Sequence, residues 1–280
     1  MGIFLAVWSA LVYGCADFCG GKATRKAPTS TVTFASQLSG LAVLAVGLAL
    51  VPGGGPTMRA IGFGAVGGLG GAVGILLLYH GLAVGTMSIV SPVTAVTAAT
   101  IPVIAGTLLF HERPGVSALT GIAFAIAAIA LVSLSRGSGS IVEPLRMVAI
   151  AIGAGLGFGL FFVCLQRAGD PRRVGLWALA GARPVSIAMS GVLARRQGHA
   201  IVPPRSAWPL IALAGTLDQL ANVLYVLSIG RGLLSVLAVL ASLYPISTVA
   251  LARVVDQERL RSVQLVGLGL AIAGLVLIGL

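Results

Sequence analysis

Two stretches of this 280-residue chain repeat each other. Glu112–Leu134 reads ERPGVSALTGIAFAIAAIALVSL, and Glu258–Leu280, 146 residues later, reads ERLRSVQLVGLGLAIAGLVLIGL. Nine of the 23 aligned positions are identical, including the Glu-Arg pair and the glycine that follows the glutamate by nine residues. Apolar composition explains some of the Ala, Ile and Leu matches, but it does not explain a charged pair at a fixed distance from a glycine. The chain therefore contains an internal duplication.

The composition excludes a water-soluble fold. Hydrophobic residues make up 58% of the chain and charged residues only 9%, and the mean hydropathy is +1.06. An ordinary globular domain has about 25% charged residues. A helix that crosses a bilayer needs about 20 mostly apolar residues, so this length accommodates ten or eleven such helices with short connections. Little sequence remains for a domain outside the membrane.

Long uncharged runs predict ten membrane-spanning helices. The separators are short and rich in turn-forming residues, as in 52–56 (PGGGP) and 136–140 (RGSGS). The predicted spans are residues 3–18, 31–51, 60–84, 87–110, 116–134, 147–165, 175–194, 208–229, 233–252 and 263–280.

The duplication extends over the whole chain. A shift of 145 residues places Leu11, Gly14, Cys19 and Ala23, in and just after the first span, on identical residues in and just after the sixth. Each half then holds five spans, and an odd number forces the second half to enter the membrane in the opposite orientation. We therefore predict an all-α membrane protein of ten transmembrane helices, arranged as two inverted five-helix repeats over residues 1–140 and 141–280.

The repeated motifs resemble those of the drug/metabolite transporter superfamily, in particular its EamA-type members. The resemblance is carried by Glu112-Arg113 before Gly121, by Glu258-Arg259 before Gly267 with Pro245 thirteen residues ahead of Glu258, and by 13–22 (YGCADFCGGK). It implies an exporter of small metabolites or drugs in the plasma membrane, with a central cavity between the halves. The first half departs from the pattern, because Pro102 lies ten residues before Glu112.

Asp218 lies near the middle of the eighth predicted span, where an ionised carboxylate costs roughly 2.5 to 3.5 kcal/mol on insertion scales. Asn222 and Tyr225 follow at i+4 and i+7 and should share its helical face. Arg183 lies near the middle of the preceding, antiparallel span and is a suitable partner for Asp218. Two interpretations remain open: a structural ion pair, or a substrate or proton site.

The two halves should contribute different chemistry to a cavity between them. The 146-residue shift places Gln37 opposite Arg183 and Ala72 opposite Asp218, so the charged pair has no counterpart in the first half. Such a pair complements the ammonium and carboxylate groups of amino-acid-like solutes. Prolines in the fourth and ninth spans also predict broken helices with hydroxyl groups near a cavity, although these hydroxyls can equally bond to their own helix. The candidate substrate-binding residues are Asp218, Asn222, Tyr225, Arg183, Gln37, Thr94, Thr97, Ser242 and Tyr244.

Asp17 falls late in the first predicted span, five residues before Lys22. That position favours a carboxylate that reaches the membrane surface or is neutralised by Lys22. We therefore expect Asp17 to be interfacial and do not count it among the binding residues.

The leading functional hypothesis is a secondary transporter that works by alternating access. An intramembrane enzyme is the second class, and it would need a nucleophile with a base, or clustered carboxylates and histidines. The three histidines of this sequence are scattered. A channel or scaffold protein is the third class. We expect a small-molecule substrate, contact with the lipid bilayer and no cofactor, metal or nucleic-acid partner. Protons are a candidate coupling ion, and the protein could be a monomer or a homodimer.

The charge distribution bears on orientation. The connections after the odd-numbered spans carry eleven Lys and Arg residues and those after the even-numbered spans carry six. The positive-inside rule then places the termini outside the cell, whereas the family resemblance implies cytoplasmic termini.

Overall fold

The computed structural model describes the chain except residues 1, 52–53, 111–114, 118, 122, 125–126, 129–143, 169–174, 230–240, 258–261 and 279–280. Within the described residues every regular element is an α-helix, as predicted. The helices are α1 (Gly2–Thr24), α2 (Thr29–Ser39), α3 (Leu41–Leu50), α4 (Met58–Val84), α5 (Met87–Phe110), α6 (Pro144–Ala168), α7 (Leu176–Arg196), α8 (Trp208–Ile229), α9 (Pro245–Val255) and α10 (Ser262–Ile278).

Six helical spans in the described residues are long and apolar enough to cross a membrane. Gly40 separates α2 from α3, but the two form one apolar span from Thr29 to Leu50. The other five are Gly2–Thr24, Met58–Val84, Leu145–Ala168, Leu176–Arg196 and Trp208–Ser228. The two Glu-Arg motifs, much of the fifth span, the start of the ninth and the predicted boundary after residue 140 lie outside the described residues.

The fourth predicted span is a continuous helix. α5 runs from Met87 to Phe110 through Pro92 and Pro102, so the expected break at these prolines is wrong. The ninth span differs, because α9 begins at Pro245, a position where the missing N–H of proline costs no helical hydrogen bond.

A large apolar cluster fills the end of the bundle at which α1, α4 and α9 finish and α2, α5, α6 and α8 begin. Its members include Phe18, Val32, Tyr79, Met87, Met147, Ile211 and Ala252, one from each of these helices. On the same end, Asp256 follows α9 and pairs with Lys22 at 2.5 Å and with Arg25 at 2.8 Å. Arg25 also donates to the carbonyl oxygen of Leu82. We call this the Asp256 end; its contacts tie the first half of the chain to the second.

Candidate functional site: a central cavity with an ion pair

A cavity lies within the bundle. Its walls come from both halves of the chain, namely from α1, α2 and α4 of the first and from α6, α7, α8 and the turn before α9 of the second.

Small residues on α4 bring α7 against it and so place Arg183 at the cavity. A Cβ at Gly68 would collide with the carbonyl oxygen of Ala182, the neighbour of Arg183. In the same way, a Cβ at Gly64 would collide with the carbonyl oxygen of Ala178 one turn earlier. The glycine-rich third span therefore packs closely against the helix that carries the arginine, as expected for small residues at membrane helix interfaces.

A second close contact between helices, that of α2 with α8, positions another wall of the cavity. A Cβ at Gly40 would lie 2.8 Å from the carbonyl oxygen of Gly215, so α2 and α8 approach each other almost backbone to backbone. Gln37 and Asp218 lie three residues from these glycines and both line the cavity. The local sequence thus explains why an amide from the first half and a carboxylate from the second face one space.

The predicted partnership of Arg183 and Asp218 is present. Nη2 of Arg183 lies 2.8 Å from Oδ2 of Asp218, and their side chains are only 8% and 16% exposed. Because guanidinium stays charged in proteins, this pair keeps the arginine compensated within an apolar bundle. The pair also joins α7 to α8.

Asn222 lies one turn after Asp218 and lines the same cavity. Its amide nitrogen donates to the backbone carbonyl of Asp218 at 2.8 Å, while its Oδ1 is buried without a hydrogen-bond partner. Gln37 Oε1 is likewise buried and unpartnered. Both residues therefore offer hydrogen-bond acceptors that the protein itself leaves unused.

Of the nine residues predicted to bind substrate, the structure brings five together at the cavity: Asp218, Asn222, Arg183, Gln37 and Tyr244.

The other four predicted residues do not line it. Tyr225 lies seven residues after Asp218, about 10 Å further along the helix axis. Its ring packs on Phe162 with ring centroids 5.3 Å apart. Thr94 donates to the carbonyl of Ala151 on α6, and Thr97 donates to Val93 of its own helix. Ser242 lies just before α9 and is half-buried.

The interfacial placement predicted for Asp17 is wrong. Asp17 is 8% exposed and lines the cavity, because α1 continues to Thr24 and leaves the residue seven positions inside the helix. Lys22, its expected partner, pairs with Asp256 instead. Among the described residues no basic side chain forms an ion pair with Asp17.

Aromatic rings cover much of the remaining wall. Tyr13 and Tyr244 lie with ring centroids 6.4 Å apart, and the hydroxyls of both are buried without partners. Gly14 allows this arrangement, because a Cβ there would collide with Ser247 and with the carbonyl oxygen of Tyr244. The sequence analysis did not predict Tyr13 at the cavity, although Tyr13 stands in the first-span motif. The aromatic residues of the wall are Tyr13, Phe158, Phe161, Phe162 and Tyr244.

Long apolar helices that surround an internal cavity with a buried ion pair define a multi-pass membrane protein. The sequence matches the EamA-like transporter family over residues 1–134 and 145–280, and the chain belongs to this family. The resemblance to the drug/metabolite transporter superfamily is thereby confirmed.

Comparison with solved structures agrees on the fold. One chain, described only as "Crystal structure of protein", is similar with a TM-score of 0.64 at 15% sequence identity, covering 99% of this chain and 96% of that one. At this identity the likeness shows the fold alone. No curated protein matches the sequence significantly.

Proposed function

We propose that this protein is a secondary transporter of small solutes in the plasma membrane, that it exports them, and that it works by alternating access. The observation that carries the proposal is the central cavity, which both halves of the chain line and which contains an ion pair and unused hydrogen-bond acceptors. Membership of a family of transporters supports the same conclusion. Amino-acid-like solutes and drugs are the candidate substrates.

The architecture we propose is two inverted five-helix repeats, over residues 1–140 and 141–280. The apolar cluster at the Asp256 end supports it, because repeat counterparts enter this cluster from opposite helix ends. Phe18 belongs to the end of α1 and Met147 to the start of its counterpart α6. Tyr79 belongs to the end of α4 and Ile211 to the start of its counterpart α8.

Alternating access requires one end of the cavity to be closed while the other opens. At the Asp256 end, the apolar cluster and the contacts of Asp256 with Lys22 and Arg25 join the two halves. We infer that this structure represents the state closed at the Asp256 end. Opening it would separate Asp256 from α1.

The proposal predicts saturable, substrate-selective flux into liposomes that contain the purified protein, with counterflow of labelled solute against an unlabelled gradient. A panel of amino acids, nucleosides and cationic drugs, run with and without a pH gradient, would identify the substrate and test protons as the coupling ion. Conductance that does not saturate would instead indicate a channel, and chemical change of the solute would indicate an enzyme.

Two glycine variants on α4 provide a matched control for this assay. Gly71 lines the cavity, so Gly71→Leu should fill part of it and reduce flux. A Cβ at Gly62 would meet no neighbouring group within 4 Å, so Gly62→Leu should leave flux unchanged. Undiminished flux in Gly71→Leu would show that the cavity is not the transport path.

A further inference from the structure

The charges around the cavity do not balance. Of the described residues that line it, Asp17, Arg183 and Asp218 are the acidic and basic ones. Arg183 is engaged by Asp218 at 2.8 Å, so the two compensate each other. Asp17 has no such partner among the described residues. With both carboxylates ionised the lining carries one net negative charge, and a charge buried in an apolar setting is costly unless it is paired.

Two of the unpartnered side-chain atoms of the described cavity wall can only accept hydrogen bonds, whereas the hydroxyls of Tyr13 and Tyr244 can donate or accept. Oδ1 of Asn222 and Oε1 of Gln37 have no partner, and both side chains are 96% buried. The amide nitrogen of Asn222 donates to the carbonyl of Asp218, and Nη2 of Arg183 donates to the Asp218 carboxylate. A ligand that brings N–H donors would satisfy these acceptors, whereas a ligand that brings only acceptors would not.

The rest of the cavity wall is suited to a ligand that has an apolar group next to a positive charge. Aromatic faces attract cations, and five aromatic side chains of the described residues line this cavity. Some of these aromatic residues occupy equivalent positions in the two repeats. The 145-residue shift pairs Tyr13 with Phe158, and it pairs Asp17 with Phe162. All four line the cavity, so equivalent positions of the two repeats supply a carboxylate on one side and an aromatic ring on the other.

We propose that the cavity selects organic monocations, namely amines with an aromatic or aliphatic body, and that Asp17 is the residue that binds the ammonium group. This proposal rests on the transporter function and names its substrate class. An anion would meet the net negative charge. A zwitterion would bring a further carboxylate into a lining that already carries a net negative charge, whereas an amine would not.

Four probes with the same phenyl group and different head groups test the proposal. Phenethylamine is a cation, phenylalanine a zwitterion, 3-phenylpropionate an anion and 2-phenylethanol neutral. Their affinities for the wild-type protein in lipid nanodiscs, measured by calorimetry, require neither transport nor a variant. We expect phenethylamine to bind most tightly. Tighter binding of any of the other three probes, or binding of none of the four, would overturn the proposal.

Substitution of Asp17 tests the residue. Asp17→Asn keeps the size of the side chain and removes its charge, so it should weaken phenethylamine binding by about ten- to hundredfold, the usual worth of a hydrogen bond to a charged group. Binding of 2-phenylethanol should change little, which shows that the variant is folded, and Asp17→Glu should retain preference for the amine. An unchanged affinity for phenethylamine in Asp17→Asn would exclude Asp17 as the binding residue.

The outcome separates this inference from the proposed function. Preferential amine binding without flux in liposomes would support the inference and contradict the transporter proposal. Saturable flux of amino acids or anions, with phenethylamine neither bound nor transported, would support the transporter proposal and contradict the inference.

Discussion

Asp218→Asn is expected to lower the free energy of unfolding by about 3 kcal/mol, the lower end of the range for breaking a buried ion pair. The substitution leaves Arg183 without its partner, and an arginine cannot discharge by losing its proton. Arg183→Gln should cost less, because the freed Asp218 carboxylate can take up a proton. Reversible unfolding in mixed detergent micelles would measure both values.

A double-mutant cycle supplies the control for this prediction. Arg183→Gln with Asp218→Asn removes both charges and should be more stable than Asp218→Asn alone. Because Asp17 lines the same cavity and could accept the freed guanidinium, the cycle should be repeated in the Asp17→Asn background, where the full cost appears. A double variant no more stable than Asp218→Asn would mean that the two side chains do not stabilise each other.

The second large effect is expected at the interface of α4 with α7. Gly64→Ala places a methyl group against the backbone carbonyl of Ala178, and a rigid backbone atom cannot move aside as a flexible side chain can. Overpacking of this kind costs about 1–3 kcal/mol. Because α7 carries Arg183, the separation of the helices should also disturb the cavity and reduce substrate affinity.

Gly62→Ala is the matched control, since Gly62 lies on the same helix and meets nothing within 4 Å. It should be neutral or stabilising by up to about 1 kcal/mol, the difference in helix propensity between the two residues. The same unfolding measurement compares the two variants. If Gly64→Ala proved as stable as Gly62→Ala, the close packing of α4 on α7 would be contradicted.

The sequence was sufficient to predict the helical membrane fold and the partnership of Arg183 with Asp218. Apolar runs of the right length report bilayer helices directly, and two opposite charges at similar depth in neighbouring spans have few other partners. The duplicated Glu-Arg and glycine pattern was likewise enough to indicate the family.

Asp17 shows what the sequence could not supply. Its depth was judged from the end of the apolar run at Phe18, but the helix continues through two glycines to Thr24. The alternative partner of Lys22 is Asp256, 234 residues away, and such a contact depends on how the two halves pack. Similarly, a helical-face argument grouped Tyr225 with Asp218 but contained no information on how far the cavity extends along α8.

The hydroxyl residues of α5 illustrate a different limit. A threonine beside a proline suggests a polar opening, yet Thr97 bonds within its own helix and Thr94 bonds to α6. Both arrangements satisfy the hydroxyl equally well, so only packing decides between them. For any individual Ser or Thr in a membrane helix, the sequence alone does not show which acceptor its hydroxyl binds.

Alternating access to the central cavity is tested most directly by labelling a single cysteine from each side of the membrane. Ser186 lines the cavity and Val66 lies half-exposed on the outer surface of α4. Ser186 and Val66 are each replaced by cysteine in a protein whose Cys15, Cys19 and Cys164 are changed to alanine. A membrane-impermeant maleimide is then applied to right-side-out and to inverted vesicles. We predict that Ser186→Cys reacts from both sides, more slowly from the Asp256 end, and that Val66→Cys reacts from neither. Reaction of Ser186→Cys from one side only, or from neither, would contradict the account.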